Sequence, residues 1–285
     1  MKRVLVTGAA GLLGRAVLDL LSARDVAATA LVLSDPGDLP ADRVVVGDAG
    51  DPEVVRKGLD GVDAIVHLAA IPAPNLATPV EVFGGNTRAT FVALTEAAQA
   101  GITRAVIASS MSVLGLAWAQ QPLRPAYLPI DEELPLQVTD PYALSKQTDE
   151  AIGTMVWRRY GMTVTAIRFP FLGGPERLAH RVELHTSTPE GGAAELWTYL
   201  HTDDAAAACL LGVTNAPPGS HVVFVAAPET LAPYETEALL DEFHPGVPRR
   251  RRFPGRMVPM ILEAGERVLG FKAERLWPVE VLPRG

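Results

Sequence analysis

Two side chains one helical turn apart open the chemical reading of this chain. In "DPYALSK", Tyr142 and Lys146 are four residues apart, so on a helix beginning near Asp140 they share one face. A free phenol has a pKa of about 10, and a neighbouring ammonium favours the phenolate, lowering such a value by about one to three units. A phenol tuned in this way takes up or releases a proton near neutral pH, the work of a general acid or base. Upstream, "RAVIASS" reads as a strand that delivers Ser109 and Ser110 at its carboxyl end, where a hydroxyl can hold a substrate oxygen beside the phenol. Each feature also has a plainer reading. Tyrosine and lysine at this spacing occur as ordinary surface pairs, and serines end strands and cap helices.

A second constellation stands near the start. "VTGAAGLLGRAV" places Gly8, Gly11 and Gly14 between a β-branched run and an apolar helical pattern. Glycines let a backbone turn sharply and approach a bulky anion, and the amide N–H groups of the helix start would face it. A dinucleotide pyrophosphate fits this arrangement; a tight turn is the alternative. The G-x-x-G-x-x-G spacing is one residue wider at the front than the usual fingerprint. Asp35, in "ALVLSDPG", closes the next strand roughly 20 residues past Gly14, where a carboxylate accepts from an adenosine ribose. Its charge opposes a 2'-phosphate, which favours NAD over NADP; equally, aspartate opens turns such as "SDPG".

These residues need elements to position them, and the pattern supplies a parallel α/β scaffold. Strand-like runs "RVLVTG", "ATALVLSD", "DRVVVGD", "DAIVHLAA", "RAVIASS" and "TVTAIRFP" alternate with helix-like segments. Such alternation predicts a doubly wound parallel sheet covered on both faces. After about Gly173 the pattern loosens into a smaller mixed α/β portion. The predicted division is a dinucleotide-binding domain over 1–172 and a substrate lobe over 173–285, with segments returning to the main sheet.

Composition narrows the function classes. The 285 residues are 48% hydrophobic and 20% charged, with a formal net charge of -8. This balance argues against nucleic-acid binding. No apolar run approaches the roughly 18 residues of a membrane span, and the first apolar stretch is too short for a signal peptide. The lone Cys209 cannot form an internal disulfide, so a reducing cytoplasmic setting is expected, and its apolar neighbours point to packing. No cluster with metal-ligand spacing is expected. Arg249 to Arg252 form a cationic run that binds an anion or, more simply, meets acidic surface.

Taken in order, "TGAAGLLG", "GDAGDPE", "HLAA", "NTRATFVALTEAA", "SSMSVLG", "PYALSK", "RFPFLGGP" and "YLHTDDAA" resemble the extended short-chain dehydrogenases/reductases, also called the NAD-dependent epimerase/dehydratase family. The resemblance spans roughly Lys2 to Val213. It implies hydride transfer between a nicotinamide dinucleotide and a secondary alcohol or ketone carbon, with Ser110, Tyr142 and Lys146 as the catalytic set. The implied cofactor contacts are Gly8, Ala10, Gly11, Leu12, Leu13, Gly14, Asp35, Asp48, Ala49, Leu68, Ala69, Ala70, Asn86 and Phe169, with Lys146 also on the nicotinamide ribose. Asp48 alternatively caps the helix begun by "DPE", and Asn86 alternatively caps or bonds locally. A homodimer is implied through the helices containing "TFVALTEAAQAG" and "DEAIGTMVWRRYG".

Departures from the family shape the substrate expectation. Met111 and Ser112 occupy the places of the Asp-Glu pair of the 4,6-dehydratases, so water elimination is not expected. Phe171 replaces an asparagine common in nucleotide-sugar enzymes. Uronate dehydrogenases are similar in length and in the "LWTYLHTDD" region but carry Asn-His where Met111 and Ser112 stand. Arg177 and Arg181, four apart, can meet a substrate carboxylate or simply lie exposed. His201 reads as structural. The competing class is a dinucleotide-sensing regulator without turnover; such relatives typically lack the tyrosine, which is intact here.

Overall fold

A computed structural model describes residues 1–121 and 123–283. In chain order its elements are β1 (Arg3–Thr7), α1 (Leu12–Ala23), β2 (Ala27–Val32), β3 (Arg43–Val46), α2 (Pro52–Gly58), β4 (Ala64–His67), α3 (Pro79–Gln99) and β5 (Arg104–Ser110). A 3-10 turn over Met111–Leu114 and a long loop follow. Then come α4 (Pro141–Tyr160), β6 (Thr163–Phe169), β7 (Phe171–Gly173), α5 (Pro175–Ser187), β8 (Tyr199–His201), α6 (Thr202–Thr214), β9 (Ser220–Phe224), α7 (Thr236–Phe243) and α8 (Glu263–Leu269).

Seven strands form one parallel sheet in the order β3-β2-β1-β4-β5-β6-β9, a doubly wound arrangement. The order reverses between β1 and β4, and ligands of such sheets bind beyond the carboxyl ends of the strands at that reversal. The register lines up the strand ends that matter: Thr7 lies beside His67, and Ser110 beside Phe169. Strand β9, from beyond Gly173, returns to the edge of this sheet, while β7 and β8 form a separate parallel pair.

Alternation along the strands divides the core between two faces. Val4 and Val6 join buried residues of α1, α6 and α8, while Leu5 joins those of α2, α3 and α4. Cys209 is fully buried in the first of these cores, and burial pushes its thiol up, as suits a packing residue. A third apolar cluster joins Met111, Leu114, Leu128 and Ile130 to Trp197, Phe224, Leu240 and Phe253. Two of the four arginines of the run meet acidic partners: Arg249 pairs with Glu237 and with Asp241 (2.8 Å), and Arg250 lies over the Tyr127 ring beside Asp131. Among the described residues no helix is long and apolar enough to cross a membrane.

Candidate active site

The glycine loop runs from the end of β1 to the start of α1, at the topological reversal. Gly8 has φ +64°, and a Cβ there would stand 2.8 Å from Ala69 N and Leu68 C, so the loop rests directly on the chain leaving β4. A Cβ on Gly14 would stand 2.3 Å from Gly8 O. Gly11 is the N-cap of α1, and among the described residues no side chain caps the helix. The first-turn amides therefore keep their donors for an anion. Ala10, Gly11 and Leu12 form the exposed rim, Leu13 is partly buried, and Gly14 is buried.

The two acidic residues assigned to the adenosine side both lie at the surface in tight Asx turns. Strand β2 ends at Val32, so Asp35 stands three residues beyond the strand it was expected to close, and its Oδ1 accepts from Gly37 N–H (2.8 Å). Asp48 Oδ1 accepts from Gly50 N–H (2.8 Å) beside buried Ala49. The cap of α2 is Asp51, whose side chain accepts from Glu53 N–H; the alternative capping role for Asp48 is thereby corrected. Asn86 bonds Ile71 through both N–H and C=O and donates its second amide hydrogen to Ser145 Oγ (3.1 Å). It clamps the segment that includes Leu68, Ala69 and Ala70 to α3 and α4.

Helix α4 begins where "DP" requires it to. The Asp140 carboxylate accepts from Ala143 N–H (2.9 Å), and Pro141 occupies the first position, where its missing N–H costs nothing. Tyr142 thus lies in the first turn and Lys146 one turn on, buried, with Nζ 5.8 Å from the centre of the Tyr142 ring. Burial works against the Lys146 charge, but Asp149, Tyr142 and Glu150 outweigh it and hold the ammonium's pKa above its ordinary value.

The helix packs on β5 and the 3-10 turn that carry the serines. Ser109 Oγ donates to Glu150 Oε1 (2.6 Å), which also receives Arg168, so Ser109 belongs to a buried structural network. Ser110 Oγ accepts from Ser112 N–H (3.1 Å), leaving its own hydrogen available for a substrate oxygen. The glycine that ends "SSMSVLG" has a steric cause: Gly115 has φ +79°, and a Cβ there would meet Gln137 O at 1.7 Å.

On the proposed substrate side, Met111 and Ser112 are buried, and the Met111 sulfur lies 3.1 Å from the Thr198 hydroxyl, which also reaches Glu195 C=O (2.7 Å). Phe171 begins β7, two residues past Phe169 at the end of β6. Its ring lies under both guanidinium groups, 4.8 Å from Arg177 and 4.5 Å from Arg181. Arg181 is already paired with Glu195, so the two arginines do not present a joint free grip. His201 caps α6 by accepting from Asp203 N–H (3.2 Å), a structural role as expected. Among the described residues no group of acidic, histidine or cysteine side chains could hold a metal ion.

Residues 4–226 match the model of the family described as NAD dependent epimerase/dehydratase family. The chain belongs to that family. A uronate dehydrogenase of Pseudomonas putida is 31% identical over 171 residues, 58% of this chain and 59% of its own length. A 3-diazoavenalumate denitrifying reductase of a Streptomyces species is 29% identical over 282 residues, 91% of this chain and 87% of its own. A solved short-chain dehydrogenase/reductase superfamily protein of Agrobacterium tumefaciens, with bound NAD, superposes with a TM-score of 0.72 at 25% identity, covering 96% of this chain and 93% of that one.

NAD is the family's cofactor, and the loop fits it. A Cβ at Gly8 or Gly14 would collide with backbone, and the start of α1 keeps its amide donors. Sequence reasoning overlooked three polar residues behind Lys146: Asp149, Thr90 and His67, all buried. Asp149 had a local signal, standing three residues after Lys146 on the same helix. His67 had only its isolation at the end of the apolar run "AIVH".

Proposed function

We propose that this chain is an NAD-dependent dehydrogenase or epimerase acting at a secondary alcohol or ketone carbon of a sugar-like or other small carbonyl compound, with Ser110, Tyr142 and Lys146 as its catalytic residues. The observation that carries this reading is the buried Lys146 ammonium, 5.8 Å from the Tyr142 ring centre on a helix packed against the strand that ends in Ser110.

The bound dinucleotide supplies the site that accepts or returns the hydride. Gly8, Gly11 and Gly14, with Ala10, Leu12 and Leu13, would hold its pyrophosphate. Asp35 would take the adenosine ribose, and Asp48 and Ala49 the adenine side. Leu68, Ala69 and Ala70 would pass beneath it, Phe169 would lie alongside, and Lys146 would hold the nicotinamide ribose. Ser110 donates its hydroxyl hydrogen to the substrate oxygen. Tyr142 Oη takes the carbinol proton on oxidation and gives one back on reduction, while the Lys146 ammonium stabilises the phenolate. Buried Met111 and the Phe171 ring favour a less polar substrate than a nucleotide sugar, and Arg177 remains for a substrate acid group.

The carboxylate of Asp35 supports NAD over NADP. Val80 and Phe91 on α3 and Leu144 on α4 are exposed, which supports pairing with a second copy. The test is Tyr142→Phe, assayed on a panel of alcohols, aldehydes and sugars. A loss of at least about a hundredfold in rate with NADH binding retained is expected. Undiminished turnover would sink the reading.

A further inference from the structure

Behind the Tyr142–Lys146 pair lies a row of buried polar groups whose proton positions follow from counting bonds. Thr7 Oγ1 accepts from Ala69 N–H (3.2 Å) and from Leu68 N–H (3.1 Å), the latter shared with the Thr7 carbonyl (3.2 Å). Both lone pairs are then used, so its own hydrogen goes to His67 Nδ1, 2.8 Å away. Burial, with the Lys146 charge added to it, pushes the His67 pKa down to about 3, so the ring is neutral. With Nδ1 accepting, the single ring hydrogen is on Nε2, and it is donated to Thr90 Oγ1 (3.1 Å).

The Thr90 hydrogen is therefore free to turn towards Asp149, whose Oδ1 has no other partner among the described residues. The second oxygen, Oδ2, holds Lys146 Nζ at 3.2 Å. Every donor from the ends of β1 and β4 to α4 points towards one carboxylate. Burial pushes the Asp149 pKa above its ordinary value, and the Lys146 ammonium and this alignment of donors work against that by favouring the anion and holding it in place.

The other charged and titratable groups facing the pair are few. Helix α4 contributes Tyr142, Asp149 and Glu150, and β4 contributes neutral His67. Glu150 is itself paired with Arg168 of β6 through two 2.8 Å bonds. Helix α3 offers uncharged Thr90 and Asn86, and β5 with its 3-10 turn offers uncharged serines.

We propose that Asp149 is a positioning residue that sets the working pH of the Tyr142–Lys146 pair. Anchored through Thr90 and His67 to the strand ends that carry the dinucleotide floor, its carboxylate fixes one of the three Lys146 donors and offsets part of the ammonium charge. The pair accordingly releases its first proton at a higher pH than it would beside an uncompensated lysine. This inference rests on the catalytic reading of Tyr142 and Lys146 and adds a residue to it.

Asp149→Asn keeps the side-chain shape and removes the charge. Because the Lys146 ammonium holds its proton, removing the negative charge beside it leaves that ammonium less compensated and lowers the pH at which the neighbouring phenol ionises, here by about one pH unit. Two readouts are expected to fall together: the pH inflection of the oxidation rate, and the phenolate inflection in an ultraviolet difference titration of the ligand-free full chain, with Tyr142→Phe as the blank. Asp149→Ala, which removes both carboxylate oxygens together with the charge, is expected to shift in the same direction and serves if the asparagine variant does not fold. An unchanged or raised inflection overturns the proposal, even where activity drops, because a structural role alone changes activity without moving the titration. If Tyr142→Phe retained turnover, the catalytic reading would fail while the spectroscopic shift remained measurable, so the two failures are distinguishable.

Discussion

Alanine at Gly14 and at Gly11 should separate the packing of the glycine loop from its ligand. At Gly14 the new Cβ would stand 2.3 Å from Gly8 O and 2.7 Å from Ala9 Cα, both backbone atoms. Comfortable contact is about 3.5 Å, so the two strands of the loop must part by roughly 1 Å beside buried Ala9 and Val17. Overpacking of this kind costs about 1–3 kcal/mol, and each kcal/mol lowers Tm by about 2–4 °C in a chain near this size, which gives a loss of roughly 2–12 °C. At Gly11 the Cβ meets only Gly8 O, at 3.2 Å, on an exposed N-cap with φ -73°. There the cost is under about 1 kcal/mol.

The added methyl of Gly11→Ala faces the side on which the pyrophosphate would lie. Saturation at a hundredfold Kd stabilises the wild type by about 2.7 kcal/mol. The assay is thermal unfolding with and without NAD. Gly14→Ala is expected to melt lower in both conditions. Gly11→Ala should melt within about 3 °C of wild type without ligand and lose most of the NAD-induced gain. A Gly14→Ala protein as stable as wild type, or a Gly11→Ala protein with the full NAD gain, would refute the loop account.

Three further outcomes are expected. Asp35→Asn should lower the ratio of kcat/KM for NAD over NADP by about tenfold or more, a change of about 1.4 kcal/mol; an unchanged ratio would remove Asp35 from cofactor selection. Glu150→Ala strands buried Arg168 and should cost about 3–5 kcal/mol in urea unfolding, whereas a loss under about 1 kcal/mol would show the pair to be dispensable. His185 is buried with neither ring nitrogen hydrogen-bonded among the described residues, and burial, aided by the Arg181 charge, lowers its pKa to about 4. Because that value lies below the ordinary 6.5, the unfolded chain takes up the proton first. Its contribution is complete above pH 6.5 and is lost as pH falls towards 4, at up to about 1.4 kcal/mol per unit. His185→Leu should flatten this slope in urea midpoints measured between pH 7 and pH 4.5; an unaltered slope would contradict the assignment.

Much of the scaffold was legible because it is written in local periodicities. Buried parallel strands read as apolar runs such as "RVLVTG" and "DAIVHLAA", and "DPYALSK" carries its own cap, proline start and shared Tyr142–Lys146 face. Alternation along β5 implied that Ser109 and Ser110 point to opposite sides without saying which faces the site. That was decided by Glu150, 41 residues further on, which takes the Ser109 hydroxyl. The arginine pair was legible as a shared helix face, but Glu195, which occupies Arg181, reaches it only through the turn that folds back after α5.

The amino-acid order alone therefore determined the parallel α/β class, the glycine loop and the tyrosine one turn ahead of its lysine, since each depends on residues within about one turn or one strand of each other. Tertiary structure decided which hydroxyl remains free and what stands behind the lysine. Thr7 meets His67 across 60 residues of chain, His67 meets Thr90 across 23, and Asp149 joins the row only because α4 packs against α3. Contacts of that range carry no periodic trace in the sequence; they exist once burial removes water and each polar group must find its partner inside the fold.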